Sequence, residues 1–300
     1  MYGIVVHGGA GGTSPKREVG CRRANQRGMK IILPDGSALD AAIETVRWME
    51  DSGLYNAGVG SIQRIDGRIE MEAVIATSQG IMRAVEVVSG VQNPVLVAKE
   101  LMSTDLRRIS GQGAYEFAME RGLKPHPGPT KEVQERLRAL REEIKDMVSR
   151  KEIPPGWTIE ELRRLVECDN PAGVLSAVDT VGAVALDRAG VFALASSTGG
   201  SGMMRRGRGG DVPVRGAGFQ IGPEGAVVAT GVGEAIIDLR GCDQVYQRIA
   251  MKSHPQQACE QAVALFRRDV PVGFLAITTG GIGIASNYPM PSHKILEEDE

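Results

Sequence analysis

The sequence has almost no net charge, few aromatic residues and no long apolar run. Thirty-five Lys and Arg stand against 37 Asp and Glu, a formal charge of -2. That balance gives no general attraction to nucleic acid or to an anionic membrane. Basic residues cluster only locally, at Arg205, Arg206 and Arg208. No stretch approaches the roughly 18 apolar residues that a membrane-spanning helix needs. Met1 to His7 has neither the charged opening nor the apolar length of a secretory leader. Cys21, Cys168, Cys242 and Cys259 share no metal-ligand spacing, and His7, His126, His254 and His293 are scattered. The expectation is a cytoplasmic protein with reduced thiols, no catalytic cofactor, and neither nucleic acid nor membrane as partner.

Glycine, by contrast, is abundant, with 39 residues gathered in short loops such as His7 to Gly12, Gly58 to Gly60, Gly199 to Gly210 and Gly231 to Gly233. Glycine permits positive φ and close backbone approach to a ligand. Glycine loops beside short apolar runs suggest strands that deliver backbone amides to a site.

Gly3 to His7 reads as a buried strand, and Ser37 to Glu50 as a helix opened by a serine cap. Ser61 to Ile65 and Arg68 to Thr77 read as two strands joined at Asp66-Gly67. Pro94 to Ser103 and Gly113 to Arg121 look helical. Lys124 to Val178 is the least core-like stretch, with a Pro-rich opening and a charged run from Lys131 to Lys151. It reads as a surface helix and a loosely packed linker. Thr180 to Leu186 and Val191 to Ser196 then form a hairpin signal, and strands at Gly216 to Ile221 and Ala226 to Ala229 follow. Helices are expected at Glu234 to Arg240 and Pro255 to Arg267, a last hairpin at Gly273 to Thr278 and Gly283 to Ser286, and a solvated tail at Glu297 to Glu300. Strands and helices come in groups, which fits layered α+β packing better than strict βαβ alternation.

Thr180 follows Asp179 at the junction between the linker and the hairpin. A threonine hydroxyl is a weak nucleophile unless a base sits beside it. One available base is the threonine's own α-amine, which exists only if the chain is cut before it; its ordinary pKa is ~8. Alone, Thr180 would read as a β-branched strand residue. A turn near Arg188 to Gly190, however, returns Thr198 beside it. Thr230 and Gly231 stand at a strand-to-helix turn, where a hydroxyl and backbone amides can meet a developing oxyanion. Arg208 and Asp211 offer opposite charges to the carboxylate and ammonium of an amino-acid-like substrate, although an exposed pair alone would read as a surface ion pair.

These segments together resemble the plant-type asparaginase and isoaspartyl peptidase family of N-terminal nucleophile hydrolases, which also contains glycosylasparaginase and taspase. The matching pieces are His7 to Gly11, Ser37 to Ala41, Asn56 to Gly60, Asp179 to Asp187, Ser197 to Gly200, Gly207 to Asp211, Gly216 to Gly218 and Thr230 to Glu234. They cover nearly the whole chain except Lys124 to Val178. The resemblance implies a four-layer αββα sandwich in one domain, cut between Asp179 and Thr180 into subunits 1–179 and 180–300, with two cleaved protomers assembling as a dimer. It implies Thr180 as nucleophile, Thr198 as its orienting hydroxyl, Thr230 and Gly231 as the oxyanion pair, and Asn56 as a positioning residue. Arg208 matches the carboxylate clamp, and Asp211 and Gly233 the groups that hold the substrate amine. Met49, Glu50, Ser52, Tyr55, Ala57 and Val59 lie in a loop that holds a structural sodium ion in some members.

The sequence departs from the family at several points. Met203 to Arg206 replaces a Lys-x-Pro pattern, Val232 stands where a second threonine is common, and Ala76-Thr77-Ser78 replaces Met-Asp-Gly. Asp179 matches glycosylasparaginases, whereas the plant enzymes carry glycine. The implied substrates are isoaspartyl dipeptides, L-asparagine or both, with a glycosylasparagine as the alternative. A nucleotide-binding glycine loop would need a Walker lysine or a G-x-G-x-x-G helix opening, and Gly199 to Gly202 has neither. A non-cleaving binding protein would not need Asp179-Thr180 together with Arg208 and Asp211.

Overall fold

The computed structural model of the chain describes residues 1–154, 157–162 and 180–298. Its elements are β1 (Tyr2–His7), α1 (Pro15–Ile32), α2 (Ala38–Asp51), β2 (Met71–Thr77), β3 (Met82–Val88), α3 (Pro94–Glu100), β4 (Arg108–Ser110), α4 (Gly111–Glu120) and α5 (Lys131–Ser149). After them come β5 (Thr180–Leu186), β6 (Phe192–Thr198), β7 (Phe219–Gly222), β8 (Gly225–Gly231), α6 (Gly233–Leu239), α7 (Gly241–Ala250), α8 (Pro255–Val263), β9 (Val272–Thr278), β10 (Gly281–Ser286) and β11 (Ser292–Glu297). No helix among the described residues is long and apolar enough to cross a membrane.

The strands form two sheets, a seven-stranded one in the order β11-β1-β5-β6-β2-β3-β4 and a four-stranded one in the order β10-β9-β8-β7. The side-chain period of two explains why the central strands are buried at every position and mostly apolar. In β5, Val181, Ala183 and Ala185 join a core with residues of α1, α2 and α3, while Val184 and Leu186 face the other way. That second core also takes Val228 of β8 and Leu275 of β9, so it lies between the sheets. In β9, Val272, Phe274 and Ala276 turn to a third core with residues of α7 and α8. Strands covered on both faces take apolar side chains on both, save where buried polar groups such as Thr180, Thr198 and Glu72 occur.

Helix α1 has no counterpart in the sequence reading. Its buried stripe is Gly20, Cys21, Ala24, Asn25, Gly28, Met29 and Ile32, helical in spacing but mostly small. The small residues are required by closeness: a Cβ on Gly28 would lie 2.4 Å from Thr45 Oγ1 and 2.7 Å from Ile4. Helix α7 and strand β11 were also not read. Glu297, expected in a solvated tail, is the last residue of β11 and accepts from the Tyr2 hydroxyl at 2.8 Å.

The expected strand at Ser61 to Ile65 is not formed. The turn exists, with Arg64 N donating to Arg68 O at 2.7 Å, but β2 pairs with β3 and β6 instead. Arg141 of α5 explains part of this, since its Nε and Nη2 donate to Ile65 O at 3.1 and 3.0 Å. The surface helix expected within Lys131 to Lys151 is formed as α5, and it docks on the body of the protein. Thr130 caps it, and Val133, Leu137, Leu140 and Ile144 make an apolar stripe on an otherwise charged helix. Leu140 and Ile144 pack on Ile65 and Leu162. The remainder of the expected linker, 163–178, lies outside the described residues. Leu140→Ala should cost about 2–5 kcal/mol through the cavity it leaves. In limited proteolysis α5 should resist cutting in the wild type and become sensitive in the variant. Early cutting within 131–149 of the wild type would contradict the docking.

Candidate active site

The β5–β6 hairpin places the first pair of candidates. Asp187 stabilises its turn by accepting from Val191 N at 3.0 Å and Ala38 N at 2.9 Å. The resulting register sets Thr180 opposite Thr198. Thr180 is buried, and its nitrogen donates to Thr230 Oγ1 at 3.3 Å. The same hydroxyl accepts from Ala10 N at 3.4 Å, so the glycine loop after β1, the head of β5 and the end of β8 meet at Thr230. Thr198 Oγ1 accepts from Gly200 N at 3.1 Å. Asp179 lies outside the described residues.

A cleft of about 100 Å³ is lined by Thr180, Thr198, Met204, Arg208, Asp211, Gly231, Gly233 and Glu234, among others. Asn56 stands behind it. Its Nδ2 donates to Gly200 O at 2.7 Å, its Oδ1 accepts from Ile62 N at 2.8 Å, and its carbonyl accepts from Gly199 N at 2.9 Å. Asn56 thus fixes the loop that leaves β6.

Within the cleft lining, Arg208 pairs with Glu234, at 2.9 Å from Nε and 2.8 Å from Nη2. Asp211, expected to hold the substrate amine beside the Arg208 carboxylate clamp, has its Oδ2 unpaired. Burial, opposed in part by Arg208, pushes the Asp211 carboxyl up to about 6. Gly233 lets the charges converge, for a Cβ there would lie 2.6 Å from Arg208 Nη2 and 2.7 Å from Asp211 Oδ1. Helix α6, which Gly233 opens, is only seven residues long.

Sequence reasoning missed the groups that hold this loop. Arg64 and Glu70 form a buried ion pair at 3.1 Å. Arg64 Nη2 donates to Arg208 O at 3.0 Å, and Glu70 Oε2 accepts from Gly207 N at 2.9 Å. Glu72, opposite Thr198 across β2 and β6, accepts from Gly210 N at 2.6 Å. The one available signal was a pair of carboxylates, Glu70 and Glu72, flanking Met71 where the apolar run of β2 begins.

Burial raises the Glu72 carboxyl to about 7, against the Gly210 amide and Arg208, which lower it. A carboxyl raised on folding is protonated in the folded chain and ionised in the unfolded one between about 4.5 and 7. It therefore stabilises the fold at low pH, and that contribution is lost as pH rises through about 7. Glu72→Gln should remove on the order of 2 kcal/mol of pH-dependent stability across that window. Thermal melts from pH 4.5 to 8 check this, and parallel wild-type and variant curves would contradict it.

His7 pairs with Gly182 in the β1–β5 register. Burial drives its imidazole down to about 3, far from the range useful to a base near neutral pH.

The 49–59 loop was also expected to bind a cation. A Cβ on Gly60 would lie 2.2 Å from Tyr55 O and 2.8 Å from Gly53 O, and one on Gly58 would lie 2.7 Å from Glu50 O. Met49 O, Tyr55 O and Ala57 O each accept one internal hydrogen bond, which leaves each a second lone pair. Main-chain oxygens turned in around glycines suit a hard cation.

Comparison with known proteins places the chain in a family. The asparaginase family profile matches residues 1–296, and the chain belongs to that family, one of N-terminal nucleophile hydrolases. It is 35% identical to the plant-type L-asparaginase of Pyrococcus abyssi, over 99% of this chain and 97% of that protein. It is 33% identical to the isoaspartyl peptidase/L-asparaginase of Danio rerio, over 89% and 82% of the two chains. It is 30% identical to the N(4)-(beta-N-acetylglucosaminyl)-L-asparaginase of Elizabethkingia miricola, over 86% and 73%.

Proposed function

We propose that the chain is the precursor of an amidohydrolase that cuts itself between Asp179 and Thr180 and then hydrolyses β-aspartyl amides, isoaspartyl dipeptides or L-asparagine. The observation that carries this reading is the cleft itself, which Thr180, Thr198, Arg208 and Asp211 line together. In the cleaved protein the Thr180 amine takes the proton of its own hydroxyl as Oγ attacks the amide carbon. The Thr230 and Gly231 region faces the developing oxyanion. The C–N bond breaks, the amine leaves with that proton, and water opens the acyl ester to release aspartate. Thr198 orients the Thr180 hydroxyl, Asn56 holds the adjoining loop, and Arg208, Asp211 and Gly233 receive the α-carboxylate and α-amine.

The same reading proposes a four-layer αββα sandwich in one domain. It divides the chain into subunits 1–179 and 180–300 and pairs two cleaved protomers as a cytoplasmic dimer with small-molecule or dipeptide substrates. Met49, Glu50, Ser52, Tyr55, Ala57 and Val59 would hold a sodium ion that stiffens their loop, with no part in the chemistry. The substrate panel is L-asparagine, L-glutamine, β-aspartyl-leucine, α-aspartyl-leucine and a glycosylasparagine, offered to fully cleaved protein. One methylene should separate amide carbon and zwitterion, so L-glutamine should react about a hundredfold more slowly than L-asparagine. Leucine release from the α- and β-linked dipeptides at matching rates would overturn the assignment. Asp179, and the likeness to the Elizabethkingia protein, favour a second reading, which preference for the glycosylasparagine would select.

A further inference from the structure

Beside the cleft lies a second cavity of about 400 Å³, lined by Ile65, Trp157, Glu161, Met204, Arg205 and Arg206 together with Asp66. Met204 lines both. We infer that this cavity is the subsite for the leaving amino acid of a β-aspartyl dipeptide, selective for a large apolar side chain with a free carboxylate. The inference deepens the β-aspartyl reading and rests on it.

Three features support it. The wall is built, because Arg205 stacks over the Trp157 ring at 4.6 Å and makes two hydrogen bonds to Glu161 at 3.0 and 3.1 Å. Trp157 Nε1 also donates to Met203 O at 3.3 Å, and Met203 packs on the Ile65, Leu140 and Leu162 cluster. The lining matches the proposed ligand, since an indole and a thioether offer soft apolar surface to an aliphatic or aromatic side chain. Finally, Arg206 is exposed at the rim and has no ion-pair partner among the described residues. Arg205 is already committed to Glu161, which leaves the Arg206 guanidinium as the free fork for a carboxylate. The segment 157–162 precedes the cleavage site, so the tail of the first subunit would wall the site of the second.

The test uses matured wild type, Trp157→Ala and Arg206→Ala on β-aspartyl-phenylalanine, β-aspartyl-glycine and L-asparagine. Wild type should favour the phenylalanine dipeptide, and Trp157→Ala should cut its specificity constant relative to the glycine dipeptide by about tenfold or more. Arg206→Ala, an exposed change with no folding burden, should cut both dipeptides about tenfold relative to L-asparagine, which has no leaving carboxylate. Dipeptide hydrolysis with both ratios unchanged would overturn the subsite alone. Wild type inert on all three compounds would remove the β-aspartyl reading beneath it.

Discussion

Thr180→Ala should leave the purified protein as one uncut 300-residue chain and lower amide hydrolysis by more than about 10,000-fold. Both effects follow from one atom. On the proposed reading, Thr180 Oγ of the precursor would attack the Asp179 carbonyl, the peptide bond would become an ester, and water would open that ester to free the Asp179 carboxylate and the Thr180 amine. In the mature protein the same oxygen would attack substrate. Its base must then be close and titrate near neutral pH. His7, held neutral by burial down to about 3, does not meet that need. The α-amine would, with an ordinary pKa of ~8, and the Thr180 nitrogen already lies 3.3 Å from Thr230 Oγ1. Thr180→Ser keeps an oxygen at the same place and should retain part of the self-cleavage. Mass spectrometry of incubated wild type, Thr180→Ala and Thr180→Ser decides the matter. A wild type that stays whole, or an alanine variant that is cut at the same bond, would defeat the assignment.

What could be read from the sequence was what the chain decides locally. The Thr180–Thr198 pairing depends on one short hairpin whose turn residues lie within a few positions of each other, so the spacing alone placed both threonines together. Arg208 was legible as a charge, but its ion pair with Glu234 was not. Glu234 is 26 residues away and reaches it only because Gly233 opens the turn between them. Glu70 and Glu72 act on a loop 137 and 138 residues further on, a separation no local pattern encodes. Helix α1 was invisible for a different reason. Its buried face is built from small residues that fit close packing, so it lacks the large apolar repeat by which helices are recognised. The failed strand at Ser61 to Ile65 shows the converse, a short alternating segment whose Ile65 is claimed by tertiary packing against α5 rather than by a ladder.

Arg208→Ala should lower kcat/KM for a β-aspartyl substrate by about 2–4 kcal/mol, roughly 30- to 1,000-fold. The arginine sits in a constrained place. Arg64 holds its carbonyl, Gly210 and Gly233 leave room for its guanidinium, and Glu234 occupies two of its nitrogens in the free protein. A substrate carboxylate must compete with Glu234 or share the guanidinium with it, so the net contact is worth less than an unopposed ion pair. Arg208→Lys keeps the charge but loses the planar fork, and should recover only part of the loss. The ammonium end of the clamp adds a pH signature. In the proposed role, Asp211 would attract the substrate amine only when ionised, and burial raises its carboxyl to about 6. Below that pH the free protein carries a neutral acid there, so kcat/KM should fall on the acid side with a midpoint near that value. Asp211→Asn should be weak at every pH and should lack this limb. An Arg208→Ala protein with wild-type kcat/KM, or an acid limb that survives in Asp211→Asn, would move the zwitterion site elsewhere in the cleft.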